Sequence, residues 1–494
     1  MSYAIFRGVA LAVCAAPLMV ACGGGNAGNP GPINSAQCSG ASCGVQGPPT
    51  SGAGSGSGSG SSTTAGALCP ATGDIVKSTY LGGAGSGEVV SLNIDAQAMT
   101  YTLKWLESPI PLHTGTVTPS RAGVQITGAV AHPPTGALPT AEQIRCAFIL
   151  TPGSGTASVD GSTYSTAASF NQANPPMILV GLGVAGGGIP GATVQFNGVN
   201  PSLLGVTVAT NVGAVPNRHF DFYPFLGFAS TTTDISKLPG TYNGLLYHLV
   251  PSGSYQTVAT NVVETFDANG GCTSSSPVPA NGTASSTGCL TTGNAWTVNS
   301  SGYFDSQQAP QILAQFKRPL GLGPSSPRTG VAHMVLGQIN GATVPLVVRT
   351  GAVNLGTPPL YADAQVDDES GISLLAKATP IASGGFDGGY VGADSNFKYT
   401  ATLVQGTTAS FLNPSTSQTE DGFTLNYGLS SPGLIGVTAS SSKTGYAIAS
   451  GGLYAIEIQG NSNDSVNSGI TPTSAIANAT PNMPYFGVGA QISK

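Results

Sequence analysis

Alternation of apolar and polar residues, repeated along the chain and nowhere replaced by a helical stripe, constrains this sequence more than any other feature. Val90, Leu92 and Ile94 alternate with Ser91, Asn93 and Asp95; beyond Ala96-Gln97-Ala98, the residues Met99, Tyr101, Leu103 and Trp105 alternate with Thr100, Thr102 and Lys104. Successive side chains of a strand point to opposite faces, so each run predicts a strand with one buried face and the two together predict a hairpin. The signature returns at Phe397, Tyr399, Ala401 and Leu403, at Phe423, Leu425 and Tyr427, and at Tyr454, Ile456 and Ile458. Gly, Pro, Asn and Ser punctuate these runs as turn residues do. The expected fold is all-β, with two or three β-sandwich or β-barrel-like modules, the two architectures that let such strands bury one face and hide their edges.

A half-buried strand needs a polar outer face, and here that face is built from Ser, Thr, Asn and Gly. Only 7% of the 494 residues are charged while Gly reaches 71 and Pro 36, against about 25% charged residues in an ordinary soluble domain. Such a composition suits an exported β protein better than a cytosolic one. The net charge of -6 argues against nucleic acid as a partner, which requires a basic footprint.

The N-terminus points the same way. A lone Arg7, the apolar run Val9 to Ala16 and the ending Leu18-Met19-Val20-Ala21-Cys22 are too short for a membrane span and stop at small residues, as a cleaved secretory signal does. Met19-Val20-Ala21-Cys22 resembles the cleavage site of bacterial lipoprotein signals, with Met where Leu is commonest. The resemblance implies a signal peptide over 1–22 and lipidation of Cys22 with a diacylglycerol and an amide-linked acyl chain such as palmitate, an anchor well beyond the grip of one chain. Gly23, in place of the Asp of inner-membrane retention, implies the outer membrane, on either its periplasmic or its surface face. The competing reading is an ordinary cleaved signal and a free secreted protein. Residues 23–66, with Gly54-Ser55-Gly56-Ser57-Gly58-Ser59-Gly60 among them, lack any apolar period and are expected to be a disordered tether spanning about 35 to 40 Å on average.

Eight cysteines less Cys14 in the signal and Cys22 at the anchor leave six, Cys38, Cys43, Cys69, Cys146, Cys272 and Cys289. In an oxidising compartment these are disulfide candidates with fifteen possible pairings. Pairing of neighbours is expected, Cys69 with Cys146 and Cys272 with Cys289, with Cys38 and Cys43 forming a small loop in the tether. No Cys-x-x-Cys or matching His spacing supports zinc, and no metal or other cofactor is expected.

Short echoes divide the folded part. Tyr80-Leu81-Gly82, Tyr242-Asn243-Gly244 and Tyr390-Val391-Gly392 each open a β-rich stretch, and Pro224-Phe225-Leu226-Gly227-Phe228 is echoed by Pro484-Tyr485-Phe486-Gly487-Val488. They suggest a β module over 67–235, a second over 236–363, a linker over 364–385 and a third module over 386–494.

Motifs of catalysis match in letters but not in context. Gly181-Leu182-Gly183-Val184-Ala185-Gly186 spells a dinucleotide fingerprint, yet Gly187-Gly188-Ile189-Pro190-Gly191 cannot start the helix it requires, so a glycine-rich hairpin is expected. Gly40-Ala41-Ser42-Cys43-Gly44 spells a nucleophile elbow inside the tether. His219 and Asp221 would share one strand face, as a surface pair or as an acid/base candidate. Asp363, Asp367, Asp368 and Glu369 read as a solvated acidic loop, with calcium binding as the alternative. Phe220, Phe222, Tyr223 and Phe225 form an aromatic cluster able to line a ligand groove or to cement a module interface.

The lipobox, the tether, Leu238-Pro239-Gly240-Thr241-Tyr242-Asn243-Gly244 and the terminal Pro-aromatic-Gly segment together resemble a family of uncharacterised proteobacterial lipoproteins. That resemblance implies export and β architecture and carries no activity or catalytic residue. The expectation is a non-enzymatic outer-membrane lipoprotein, held by its lipid anchor, whose β modules bind an envelope protein, a glycan or a small ligand. Two alternatives are a small-ligand β-barrel with a cavity behind Tyr80, Tyr242 or Tyr390, and a carbohydrate-active hydrolase with two converging carboxylates about 5 to 9.5 Å apart. A membrane-spanning barrel is disfavoured by the lipobox and by an end without a terminal aromatic, Gln491-Ile492-Ser493-Lys494.

Overall fold

The computed structural model describes residues 69–135, 137–138, 141–253, 255–277, 296–306, 309, 330–395, 399–412, 419–439, 443–458 and 485–493. The segments expected to be a signal peptide and a tether, with Cys22, Cys38 and Cys43, lie outside the described residues, as does Cys289.

The alternating runs form the strands expected of them. Glu88–Asp95 pairs antiparallel with Thr100–Glu107, setting Leu92 opposite Leu103 and Ile94 opposite Tyr101, all four buried. Met99 stands in the turn with φ 53° and not on the strand, so the loop of this hairpin runs one residue longer than its polar pattern suggests.

The fold consists of two closed barrels and an open sheet. In the first barrel, Thr100–Glu107, Glu88–Asp95, Thr79–Ala84, Phe222–Phe228, Val184–Pro190, Met177–Val180, Ala147–Leu150 and Gln125–Ala131 pair in that order, and the last pairs back to the first. The second barrel runs in chain order from Gly388–Asp394 to Tyr485–Ser493, which pair with each other. Closure removes the edge strands that otherwise invite aggregation. Between the barrels in chain order comes an eight-stranded sheet whose middle consists of Gln256–Phe266, Gly240–Val250, Ser370–Lys377, Ala342–Thr350 and Val331–Ile339. The segment 364–385, expected to link two modules, instead supplies the strand Ser370–Lys377, paired on one side with Gly240–Val250 and on the other with Ala342–Thr350. Ile372 and Leu374 on that strand are buried, and a run that fills a vacant ladder position buries far more apolar surface than a linker would.

The three parts share one core. Phe225 and Leu226 of the first barrel, Leu245 and Leu374 of the sheet, and Ile448, Phe486 and Val488 of the second barrel belong to a single buried cluster. Phe222 stacks on Tyr399 across the two barrels at 4.5 Å, and Tyr247 stacks on Phe486. The abundance of glycine follows partly from this packing. A Cβ at Gly337 would stand 2.3 Å from the Phe228 ring, and one at Gly83 would stand 2.4 Å from Val348, so glycine lets the first barrel and the sheet approach almost backbone to side chain. Cys69 and Cys146 are disulfide-bonded with Cα atoms 5.8 Å apart, and Cys272 is disulfide-bonded as well. No helix among the described residues is long and apolar enough to cross a membrane.

Both barrels are filled. The second holds Tyr390, Phe411, Phe423, Val437, Tyr454 and Ile456 in one cluster. The expected cavities behind Tyr80, Tyr242 and Tyr390 are taken by packing: all three rings are buried, Tyr242 lies edge-on to Phe266, and Tyr390 donates its hydroxyl to the Phe386 carbonyl at 3.1 Å.

Candidate functional site

Where the first barrel meets the end of the central sheet, a pocket of ≈ 220 Å³ opens. Three walls close it. The first is the long connection between the barrel strands Thr100–Glu107 and Gln125–Ala131, contributing Ser108, Ile110 and Ser120. That loop is held folded by backbone hydrogen bonds from Leu112 to Pro119 and from Arg121 to Ile110. The second wall is an arm, the hairpin Thr193–Phe196 with Val215–His219, which contributes Val194 and Val215. The third is the sheet end, with Leu249, Tyr255, Val353 and Asp368. Phe220 and Tyr223 complete the lining.

Aromatic rings define one side. Phe220 lies 5.0 Å from Tyr223 and 5.6 Å from Tyr255, centroid to centroid. The Tyr223 hydroxyl is buried and has no hydrogen-bond partner, a condition that costs free energy unless something else meets it. Burial raises the Tyr223 phenol well above its ordinary value, so the group remains a neutral donor and acceptor.

Beneath it sits an ion pair. Arg121 grips Glu88 through Nε to Oε1 and Nη2 to Oε2, each at 2.7 Å, with both side chains wholly buried. Ser86 donates to the same carboxylate at 2.6 Å and Ser108 at 2.5 Å. The guanidinium also lies 4.1 Å from the centre of the Trp105 ring. A buried pair with this many partners is charge-balanced and geometrically fixed. It orders the pocket floor without offering a free carboxylate.

Asp368 is the acid that lines the pocket. It accepts from the Ser252 backbone N–H at 2.6 Å and from the Ser252 hydroxyl at 2.9 Å. Burial pushes its carboxyl up to about 6; the Ser252 hydrogen bonds pull it down and the Asp367 charge adds to the rise. A group of this kind exchanges its proton near physiological pH and can face a ligand as acceptor or donor.

The acidic cluster is not a solvated loop. Asp367, Asp368 and Glu369 are buried, and at the break between the strands Gln365–Asp367 and Ser370–Lys377 they turn to different partners: Asp367 to Arg349 at 2.9 Å, Asp368 to Ser252 and Glu369 to His248 at 2.8 Å. Asp363 bonds Thr357 in an exposed turn. The four therefore do not converge as a calcium site would require. The aromatic cluster is split as well: Phe220 and Tyr223 line the pocket, Phe222 packs on the second barrel, and Phe225 belongs to the core. His219 Nε2 lies 3.2 Å from Asp221, which is buried, and Asn171 and Asn174 both donate to the same carboxylate. Gly181 to Gly186 forms the turn and opening of the hairpin Met177–Val180 with Val184–Pro190.

A second cluster went unseen in the sequence. Glu107, Asp305 and His333 place donor atoms within 4.8 Å of one another where the first barrel meets the sheet. Asp305 and His333 are cross-strand partners bonded at 2.7 Å, and Tyr303 donates to Glu107 at 2.7 Å. These are hydrogen-bonded pairs that tie the two modules together, assembled from positions nearly 200 residues apart. Cys69, Glu142 and Cys146 also lie close, but the two cysteines are joined as the disulfide.

Residues 100–490 match the family model described as "Protein of unknown function (DUF2957)". No curated protein matches the chain.

Proposed function

We propose that this chain, which belongs to the DUF2957 family, is a non-enzymatic envelope lipoprotein whose pocket at the barrel–sheet junction binds a small, largely apolar ligand bearing one hydrogen-bonding head group. The lipobox at Cys22 and the Gly/Ser-rich stretch that follows support export and anchoring at the outer membrane. The observation that carries the binding reading is an apolar pocket walled by Phe220, Tyr223 and Tyr255 in which Asp368 is the one carboxyl among the described lining residues. A head group that donates a hydrogen bond, such as an ammonium or an alcohol, would meet the Asp368 carboxyl. The pocket is smaller than a drug-sized site, with room for on the order of ten non-hydrogen atoms.

The hydrolase reading lacks its machinery here. Among the described residues lining the pocket, Asp368 is the one carboxyl, whereas glycoside hydrolysis needs two. Glu88, Asp367 and Glu369 nearby are engaged by Arg121, Arg349 and His248.

Benzylamine and benzyl alcohol serve as probes in ligand-observed NMR. Saturation transfer is expected with the native chain and not with Ile110→Trp, which fills the pocket; Asp368→Asn should weaken benzylamine. Equal signals from the native chain and Ile110→Trp would overturn the reading. Acylation is tested separately, by mass spectrometry of the N-terminal peptide.

A further inference from the structure

The arm beside the pocket ends in a feature the fold does not explain. Beyond the hairpin Thr193–Phe196 with Val215–His219, the two chains run on through a bridge between Val199 and Val212 to a short ladder, Ser202–Leu203 with Val206–Thr207. Leu204 and Gly205 form the two-residue turn at its tip, with φ 52° and 81°. A turn with two positive φ values favours Asn-Gly or Asp-Gly, and Leu is strained there. Leu204 gains nothing from packing in return, since it is 96% exposed, with Val206 at 67% and Leu203 at 52%. Leu360, 44% exposed, sits in a neighbouring turn whose Pro359 carbonyl accepts from the Ser202 N–H at 2.7 Å. Four of the seven large hydrophobic residues exposed among the described residues thus gather at one tip.

Charge is sparse around them, the exposed Asp363 in the turn of Leu360 being bound by Thr357. Neither 194–217 nor 351–362 contains an acidic or basic side chain. A protein partner would need roughly 800 Å² of complementary surface on each side, which a ribbon two strands wide cannot offer. A lipid bilayer needs no shape complementarity, and its grip scales with the apolar area immersed. The ladder also pairs backbone amides of the tip internally, which reduces the cost of entering a medium without water.

We propose that the Leu203-Leu204-Gly205-Val206 tip, with Leu360 beside it, inserts into a lipid bilayer and gives the folded part a reversible membrane contact of its own, independent of the acyl anchor. It holds the pocket at the base of the arm close to the lipid surface.

The test uses the mature chain 22–494 carrying Cys22→Ala, so that neither the apolar run Val9 to Ala16 nor an acyl chain contributes, and vesicles of phosphatidylethanolamine and phosphatidylglycerol. Cosedimentation is expected and should persist at high salt, because no charge is involved. Adding Leu204→Asn should lower the partition coefficient about tenfold, while the thermal midpoint stays level or rises, since Asn tolerates the left-handed turn that strains Leu. Absence of cosedimentation, its loss at high salt, or equal partition with Leu204→Asn would overturn the proposal. So would a dimer in sedimentation that Leu204→Asn dissolves, which would assign the tip to a second copy of this chain.

Discussion

Replacing Asp368 with Asn removes one titration from the pocket and leaves its shape and its main hydrogen bond in place, because the amide oxygen of Asn can still accept from the Ser252 N–H. Burial raises the folded-state value from 3.8 to about 6, so the folded protein holds this proton more tightly than the unfolded chain. The stability that follows is fully present below about pH 4 and is lost as pH rises through 6. At about 1.4 kcal/mol per pH unit the loss is about 3 kcal/mol, and Asn, having no proton to lose, does not incur it. The unfolding entropy of a single cooperative body of this size, near 0.9 kcal/mol per degree, converts that into about 3 °C. Thermal unfolding of both proteins, followed through Trp105 and Trp296, should give midpoints whose difference is near zero at pH 4 and reaches about 3 °C in favour of Asp368→Asn at pH 8. Other carboxylates titrate in both proteins and cancel in the difference. A difference that stays constant from pH 4 to 8, or that favours the native chain at high pH, would refute the account of a desolvated carboxyl in the pocket.

Three further outcomes follow from the packing. Glu457 is wholly buried with no hydrogen bond to either carboxyl oxygen, and burial raises it well above the ordinary carboxylate range; Glu457→Gln should therefore leave stability unchanged in acid and increase it toward alkaline pH, read as a thermal midpoint. Gly337→Ala sets a methyl group 2.3 Å from the Phe228 ring and should cost about 1 to 3 kcal/mol, with Phe228→Leu in the same chain recovering part of the loss. Cys69→Ser opens a loop with a sequence separation of 77 and should cost about 4 to 5 kcal/mol on the chain-entropy model, measured as a lowered midpoint in the absence of reductant.

The candidate site was legible only in pieces. Phe220 and Tyr223 stand out in sequence as aromatic neighbours, and Asp368 as one of a run of acids, but nothing local shows that they face one pocket. Their meeting depends on the loop 108–120, the arm and the sheet end, which come from three regions of the chain and contribute apolar residues of no distinctive pattern. Arg121 and Glu88 gave no signal, because a buried ion pair 33 residues apart has no local signature. Glu107 and His333 are farther apart still.

What the sequence alone determined is the strand-forming character of the chain, since period-two alternation is a local property enforced by the pleat at every residue. The hairpin Glu88–Asp95 with Thr100–Glu107 and the cysteine pair 69 and 146 were within its reach. What only the tertiary structure decided is which strands pair across distance. The run Ser370–Lys377 has the composition of a linker or a strand equally well, and it becomes the middle of a sheet because Gly240–Val250 and Ala342–Thr350 leave a ladder position between them. Unsatisfied backbone groups on two neighbouring strands make that insertion favourable, and no window of sequence contains all three. The pocket follows from the same non-local choice: its lining comes from the barrel, the arm and the sheet end, which no single window of sequence contains.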